Sequence, residues 1–369
     1  MKKHNKTGRS LIAVLMVLMI IVLASCSGGS AAGKTDKNAK PETEVVRLAV
    51  FQHGHILNAI AEEQGYLEEE GIKVVYVPVD TDAEVFEGIE NGTIDLASNS
   101  GTNLPLQRIA EGQDLTMFAG YLLTGSMPVF ARVETEWKGV ESLKGKTMAC
   151  EPNMFAVSGP LLDKGIDPLK DVIWYNPDDQ LDRIKAVKEG KADYGLVGTQ
   201  LNYAIDSDPE LKVCTYASDL LPYYSCCRVE ASTEWVNNNP NTVKALLRAW
   251  IRAQEYYENH HDESVTFISE TTGLDPEVQR AHMDNPHFEI NTDPMKTSIL
   301  RAWGYLCRVG IISESARDLD IEEHINTELY KEALDDCQAR YGKEDSKFYE
   351  KMQSTYSAFD ESDVYTDPD

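Results

Sequence analysis

The chain lacks any apolar run beyond residue 25 that approaches the roughly 18 consecutive residues of a membrane-spanning helix. Everything after the N-terminus is therefore expected to fold in water. Positive charge is scarce: 35 Lys and Arg stand against 61 Asp and Glu over 369 residues, a net charge of −26. Nucleic acids and anionic lipids are held by basic patches, so this balance argues against both as partners. Three catalytic patterns are missing, since no Ser-His-Asp arrangement, P-loop or H-E-x-x-H is legible. Cysteine is present seven times but forms no compact framework and no C-x-x-C. Cys150, Cys214, Cys226, Cys227, Cys307 and Cys337 are expected as free thiols, mostly buried, with a Cys150–Cys214 pair as the alternative. Cys226 and Cys227 fall on an expected strand, which would send their side chains to opposite faces and disfavour a disulfide between them.

What is present begins with an address. Lys2, Lys3, Lys6 and Arg9 form a basic start, and Leu11 to Leu23 is an apolar segment of 13 residues. That is too short to span a bilayer as a helix and has the proportions of a signal peptide. Leu23-Ala24-Ser25-Cys26 resembles a bacterial lipobox, in which the cysteine is acylated and becomes residue one of the mature protein; an ordinary signal peptide with a chance cysteine is the alternative. Residues 1–25 are thus expected to be removed and Cys26 lipidated. The mature chain then carries 31 basic against 61 acidic side chains, a net charge of −30. Residues 26–44, rich in Gly, Ala, Ser and Lys, have the composition of a flexible tether.

From Val45 onward strands and helices alternate with short connections, the sign of an α/β fold with mostly parallel sheets. Expected strands are 45–51, 73–78, 95–98 and 115–119, with helices 56–64, 83–90 (capped by Thr81 or Asp82) and one starting at Thr102. The order then recurs about 100 residues later: strands 146–150, 172–175, 193–197 and 211–216, with helices capped by Ser158, over 180–189, and starting at Thr199. Gly92-Thr-Ile-Asp95 followed by Gly101-Thr102-Asn103-Leu104 has its counterpart in Gly190-Lys-Ala-Asp193 followed by Gly198-Thr199-Gln200-Leu201. The doubling predicts two lobes facing each other. Their expected limits are 45–128 for the first part of lobe I, 129–228 for lobe II, and 229–337 for the return to lobe I and its C-terminal helices. Crossings at 129–133 and 224–229 would act as a hinge. Residues 338–369 are polar and acidic and are expected to lie on the surface or fray.

In order and spacing these segments resemble the solute-binding proteins of ATP-driven importers, specifically the nitrate, sulfonate, taurine and thiamine-pyrimidine-precursor branch. The resemblance rests on Ala59 to Val74, with Gly65-Tyr66 and Gly71-Ile72; on Asn91-Gly92-Thr-Ile-Asp95; on Leu143-Lys-Gly145-Lys146; and on Asn239-Pro240 through Ala253. It implies a two-lobed periplasmic-binding-protein fold of type II with the ligand between the lobes. It also implies an extracytoplasmic protein, anchored by lipid alone, that hands a small polar or anionic molecule to an importer's permease. His55 stands six residues before Ala61, much as a histidine does in relatives that bind thiamine pyrimidine precursors. The protein is expected to be a monomer without cofactor or catalysis. The alternatives are a lipoprotein sensor or adhesion module on the same fold, or a pyrimidine-synthase-like enzyme.

In open α/β sheets ligands sit beyond the carboxyl ends of the strands, where helix N-termini present unpaired N–H groups. That rule selects His53, His55, Ser100, Thr102, Asn103, Asn153, Ser158, Thr199 and Gln200 as polar candidates, with Tyr121, Phe155 and Tyr203 as flat walls. His53 and His55 invite a metal reading, with His260, His261, His282 and His287 as possible partners, but no convergence of three or four is expected.

Overall fold

The computed structural model describes residues 40–51, 54–177 and 179–362. The signal segment, Cys26, most of the expected tether, and His53 lie outside the described residues. Eleven strands are described: β1 (Val45–Val50), β2 (Lys73–Pro78), β3 (Leu96–Ala97), β4 (Leu115–Thr124), β5 (Pro128–Arg132), β6 (Thr147–Ala149), β7 (Ile173–Trp174), β8 (Tyr194–Leu196), β9 (Leu211–Tyr216), β10 (Cys227–Ser232) and β11 (Glu289–Ile290).

They form two sheets, ordered β11-β4-β10-β3-β1-β2 and β7-β6-β8-β5-β9. Laid side by side, β2-β1-β3-β10-β4 and β7-β6-β8-β5-β9 follow one plan. Three parallel strands come first, then a fourth that runs antiparallel to its neighbours on both sides. The expected mostly parallel sheets are therefore mixed. The antiparallel member is in each case a strand that enters from the other lobe, β10 in the first sheet and β5 in the second. The sequence repeat marks matching corners of this plan: Gly92 and Gly190 both turn left-handed (φ 75° and 73°) after a helix. Such a conformation costs glycine nothing and any side chain about 1–2 kcal/mol.

One apolar cluster covers a face of the first sheet, with Leu48 and Ile60 clustered with Trp250 of the helix Pro240–Asn259. That helix buries Val243, Leu246, Leu247, Trp250, Ile251 and Gln254, the stripe read from its spacing. A second cluster runs from Ala97 and Met117 in the first sheet through Tyr224 to Val129, Met148 and Phe155 in the second, so the lobes share one core beside the crossings. A third, around Phe130, Val187 and Ile205, closes the far face of the second sheet.

The structure corrects four further expectations. The tether does not extend to residue 44: the Glu42 carboxylate accepts from the Asn241 and Thr242 N–H groups (3.1 and 2.8 Å), capping the helix that begins at Pro240. Ser158 is no cap. The helix spans Phe155–Asp163 with Pro160 inside it, and the Ser158 hydroxyl donates back to the Met154 carbonyl (3.1 Å). The described part of 338–369 does not simply fray, since Ser346–Phe359 is a helix burying Phe348, Tyr349, Met352, Tyr356 and Phe359. Their three-to-four-residue spacing is an amphipathic stripe that an acidic composition conceals. Last, β10 starts only at Cys227. Residues before it belong to the crossing, where Tyr223 and Ser225 hold left-handed backbone (φ 50° and 51°). Cys226 therefore escapes strand alternation, and its Sγ lies 3.5 Å from that of Cys227. All six cysteines among the described residues are free.

Candidate functional site

Two chain crossings run side by side between the sheets. Tyr224 ties them: its hydroxyl accepts from the Gly125 N–H (2.9 Å) and donates to the Gly125 carbonyl (3.1 Å). The Cys226 N–H donates to the Leu123 carbonyl (2.9 Å). The left-handed backbone at Tyr223 and Ser225 is a costly conformation for non-glycine residues, of the kind that clusters at clamps and switches.

Lobe I meets this hinge through the loop after β3. Thr102 precedes the helix Asn103–Ala110 but makes no side-chain cap. Its hydroxyl donates instead to the Ser225 carbonyl, fixing the helix N-terminus to the second crossing. Asn103 follows half-exposed, and the Asn99 amide donates to the Gly54 carbonyl (3.4 Å), drawing the loop after β1 alongside. Lobe II meets the hinge through Thr199, which opens a short 3-10 turn, Thr199–Leu201. A Cβ on Gly125 would stand 2.5 Å from Thr199 Oγ1 and 3.1 Å from Cys226 Sγ. Only a glycine lets these three chain segments approach so closely. Phe155 reaches the same place from the start of the helix that follows β6, its ring 6.3 Å from that of Tyr224.

Thus Thr102, Asn103, Phe155 and Thr199 converge on the hinge. Gln200 is exposed, Tyr203 is 39% exposed, and Asn153 is buried. Ser100 and Ser158 are buried, the latter inside its helix. His55 caps the helix Ile56–Glu63 through Nδ1, which accepts from the Asn58 N–H (3.1 Å). Its ring is stacked between Tyr121 (4.2 Å) and Trp250 (4.8 Å), and Tyr121 in turn accepts from the Ile56 N–H (2.9 Å). At 2% and 3% exposure, His55 and Tyr121 brace the wall of lobe I from behind.

The electrostatics are mixed. Arg183, 8% exposed, bonds the Leu196 carbonyl (3.3 Å), Asn176 (2.8 Å) and Glu151 (3.2 Å) beyond the ends of β6 and β8. Asp82, at the start of the helix Asp82–Asn91 in lobe I, titrates above its usual range because it is buried; a hydrogen bond from Ser100 opposes the rise and the Glu151 charge across the lobes adds to it. Sequence reasoning missed Gly125, Tyr224, Ser225 and Asn202. Asn202 is 1% exposed, with both amide atoms lacking a partner among the described residues. Its only sequence signal is that it stands directly after the second Gly-Thr-x-Leu repeat. Among the described residues no three His, Cys, Asp or Glu gather as metal ligands.

Paired mixed sheets with polar strand-to-helix junctions converging on a double crossing define a two-lobed binding-protein fold, and solved structures share it. The nitrate-binding protein NrtA of Synechocystis PCC 6803 superposes with a TM-score of 0.65 at 15% identity, over 87% of this chain and 100% of its own. The alkanesulfonate-binding protein SsuA of Xanthomonas axonopodis pv. citri, bound to MOPS, gives 0.63 at 15% identity over 78% and 99%. The aliphatic sulphonate-binding SsuA of Escherichia coli gives 0.62 at 19% over 77% and 92%. A family model described as NMT1/THI5 like matches residues 52–264, more than half of the chain. The chain belongs to the NMT1/THI5-like family. No curated protein matches it in sequence.

Proposed function

We propose that this chain is an extracytoplasmic solute-binding protein, anchored through lipidated Cys26, that captures a small polar molecule between its lobes and delivers it to the permease of an ATP-driven importer. One observation carries the reading: Thr102 of lobe I and Thr199 of lobe II both abut the paired crossings, the first through Ser225 and the second against Gly125. Junctions on both lobes are then in reach of one ligand, with helix N–H groups and the amides of Asn103, Gln200 and Asn202 as recognition chemistry. The ligand classes that the fold's relatives suggest are nitrate, a sulfonate such as taurine, or a thiamine pyrimidine precursor. The absence of a legible nucleophile and base pairing supports binding without turnover.

The test is native mass spectrometry of the purified protein to find what co-purifies, followed by calorimetry with nitrate, alkanesulfonates and aminopyrimidines. One class should bind stoichiometrically and reduce the radius of gyration in small-angle scattering as the lobes close. Failure of all three to bind a protein stripped by unfolding and refolding would overturn the ligand assignment. Binding that leaves the bound protein unable to stimulate the partner ATPase would overturn the transport role.

A further inference from the structure

Three sulfur atoms gather at the hinge, contributed by both crossings and by the first residue of β10. Cys226 Sγ lies 3.5 Å from Cys227 Sγ and 3.9 Å from Met127 Sδ. Neither cysteine is in a disulfide, and Cys226 is only partly buried. With metal–sulfur bonds of about 2.3 Å, three sulfurs around one ion stand about 4 Å apart, by simple trigonal geometry. The observed spacings are already close to that figure. We propose that Cys226, Cys227 and Met127 form a binding site for a soft monovalent metal ion, Cu(I) in chemical terms.

Two thiolates and a thioether are soft donors, and soft donors select Cu(I) over the harder divalent ions. A three-sulfur set also falls short of the four ligands that structural zinc takes. Binding releases two thiol protons and leaves the cluster with one net negative charge, beside the buried guanidinium of Arg228. A bound ion would link the first crossing to the second. The site is independent of the solute assignment, because none of its donors is a proposed solute ligand.

The experiment uses the full chain, reduced and handled anaerobically, with Cu(I) competed against a chromophoric Cu(I) chelator. The parent is expected to hold one Cu(I) ion more than the Cys226→Ser/Cys227→Ser double variant. Cys226→Ser and Cys227→Ser should each weaken that ion at least 100-fold, and Met127→Leu about tenfold, or about 1.4 kcal/mol. Thermal melts without copper check that each variant folds. X-ray absorption on the copper-loaded parent should find three sulfur neighbours. Equal copper content in the parent and the double variant would overturn the proposal, as would unchanged affinity in Met127→Leu or a shell of nitrogen and oxygen.

Discussion

Asp95 and Asp193 make the same bonds in the two lobes. Asp95 Oδ2 accepts from the Arg47 N–H (2.6 Å) while its own N–H donates to the Arg47 carbonyl (2.9 Å). Asp193 Oδ2 accepts from the Thr147 N–H (2.9 Å), and its N–H donates to the Thr147 carbonyl (2.9 Å). Each aspartate thus pins the start of the middle strand of its lobe's three parallel strands, β1 or β6. Asp95 also receives the Arg47 guanidinium through Nε (3.0 Å) and Nη2 (2.5 Å). Asp193→Ala, which strands a backbone donor, should cost about 1–3 kcal/mol in urea unfolding. Asp95→Ala should cost more than Asp193→Ala, since it also releases Arg47.

Gly125→Ala should hold the lobes apart. The added methyl meets Thr199 Oγ1 at 2.5 Å, closer than carbon and oxygen tolerate. Solute affinity should fall, and the radius of gyration in saturating solute should exceed that of the parent. Removing the hydroxyl in Gly125→Ala/Thr199→Ala should restore much of both. A double variant no better than Gly125→Ala would show that the methyl acts elsewhere.

Asn103→Ala and Gln200→Ala should weaken solute binding by about 5- to 150-fold, the range for a buried acceptor losing its donor at roughly 1–3 kcal/mol. Comparable changes at the acidic positions of 361–369 should leave affinity unchanged. Calorimetry decides, with melts run in parallel.

Two glutamates should act on stability in opposite pH directions. Glu42 titrates below the ordinary 4.5: burial pushes it up, but hydrogen bonds from the Thr242 and Asn241 backbone and the Thr242 hydroxyl outweigh that. Its stabilisation is therefore full above the unfolded value and lost as pH falls through the folded one, and Glu42→Ala should cost about 1 kcal/mol at neutral pH, as loss of a helix cap does. Glu230 is fully buried in β10, with neither carboxylate oxygen partnered among the described residues. Burial, then the Asp82 charge, raise it well above 4.5, with Arg228 opposing. Its folded form is favoured below the unfolded value and loses stability as pH rises toward the folded one. Glu230→Gln should therefore flatten the alkaline side of the stability profile, measured by urea unfolding from pH 5 to 9.

Cys26→Ser should abolish acyl labelling and leave the protein unprocessed or released from the membrane fraction. Unchanged labelling would refute the lipid anchor.

The doubled pattern was legible because Gly92 and Asp95, and again Gly190 and Asp193, each perform a local backbone task that only those residue types do well. The helix face of Pro240–Asn259 was legible for a similar reason: one apolar stripe at helical spacing. The hinge was not. Gly125 matters through what approaches it from residues 199 and 226, and no window of sequence contains that approach. His55 and Tyr121 carried the right residue types for a cleft, yet the His55 ring is stacked between Tyr121 and Trp250, far along the chain, and both are buried. The terminal helix was hidden because its charged residues set the composition while five buried side chains set its fate.

The fourth strand of each sheet arrives from the opposite lobe, β10 in one and β5 in the other. Neither lobe is therefore a unit that the ribosome or a protease could separate. A chain cut near residue 128 leaves the first sheet without β10, exposing the edges of β3 and β4 to any other strand. In the second sheet β5 has no strand to pair with until β8 and β9 are made. The two halves must reach their native pairing together, which makes assembly a late event that awaits most of the chain and keeps the nascent polypeptide open until then.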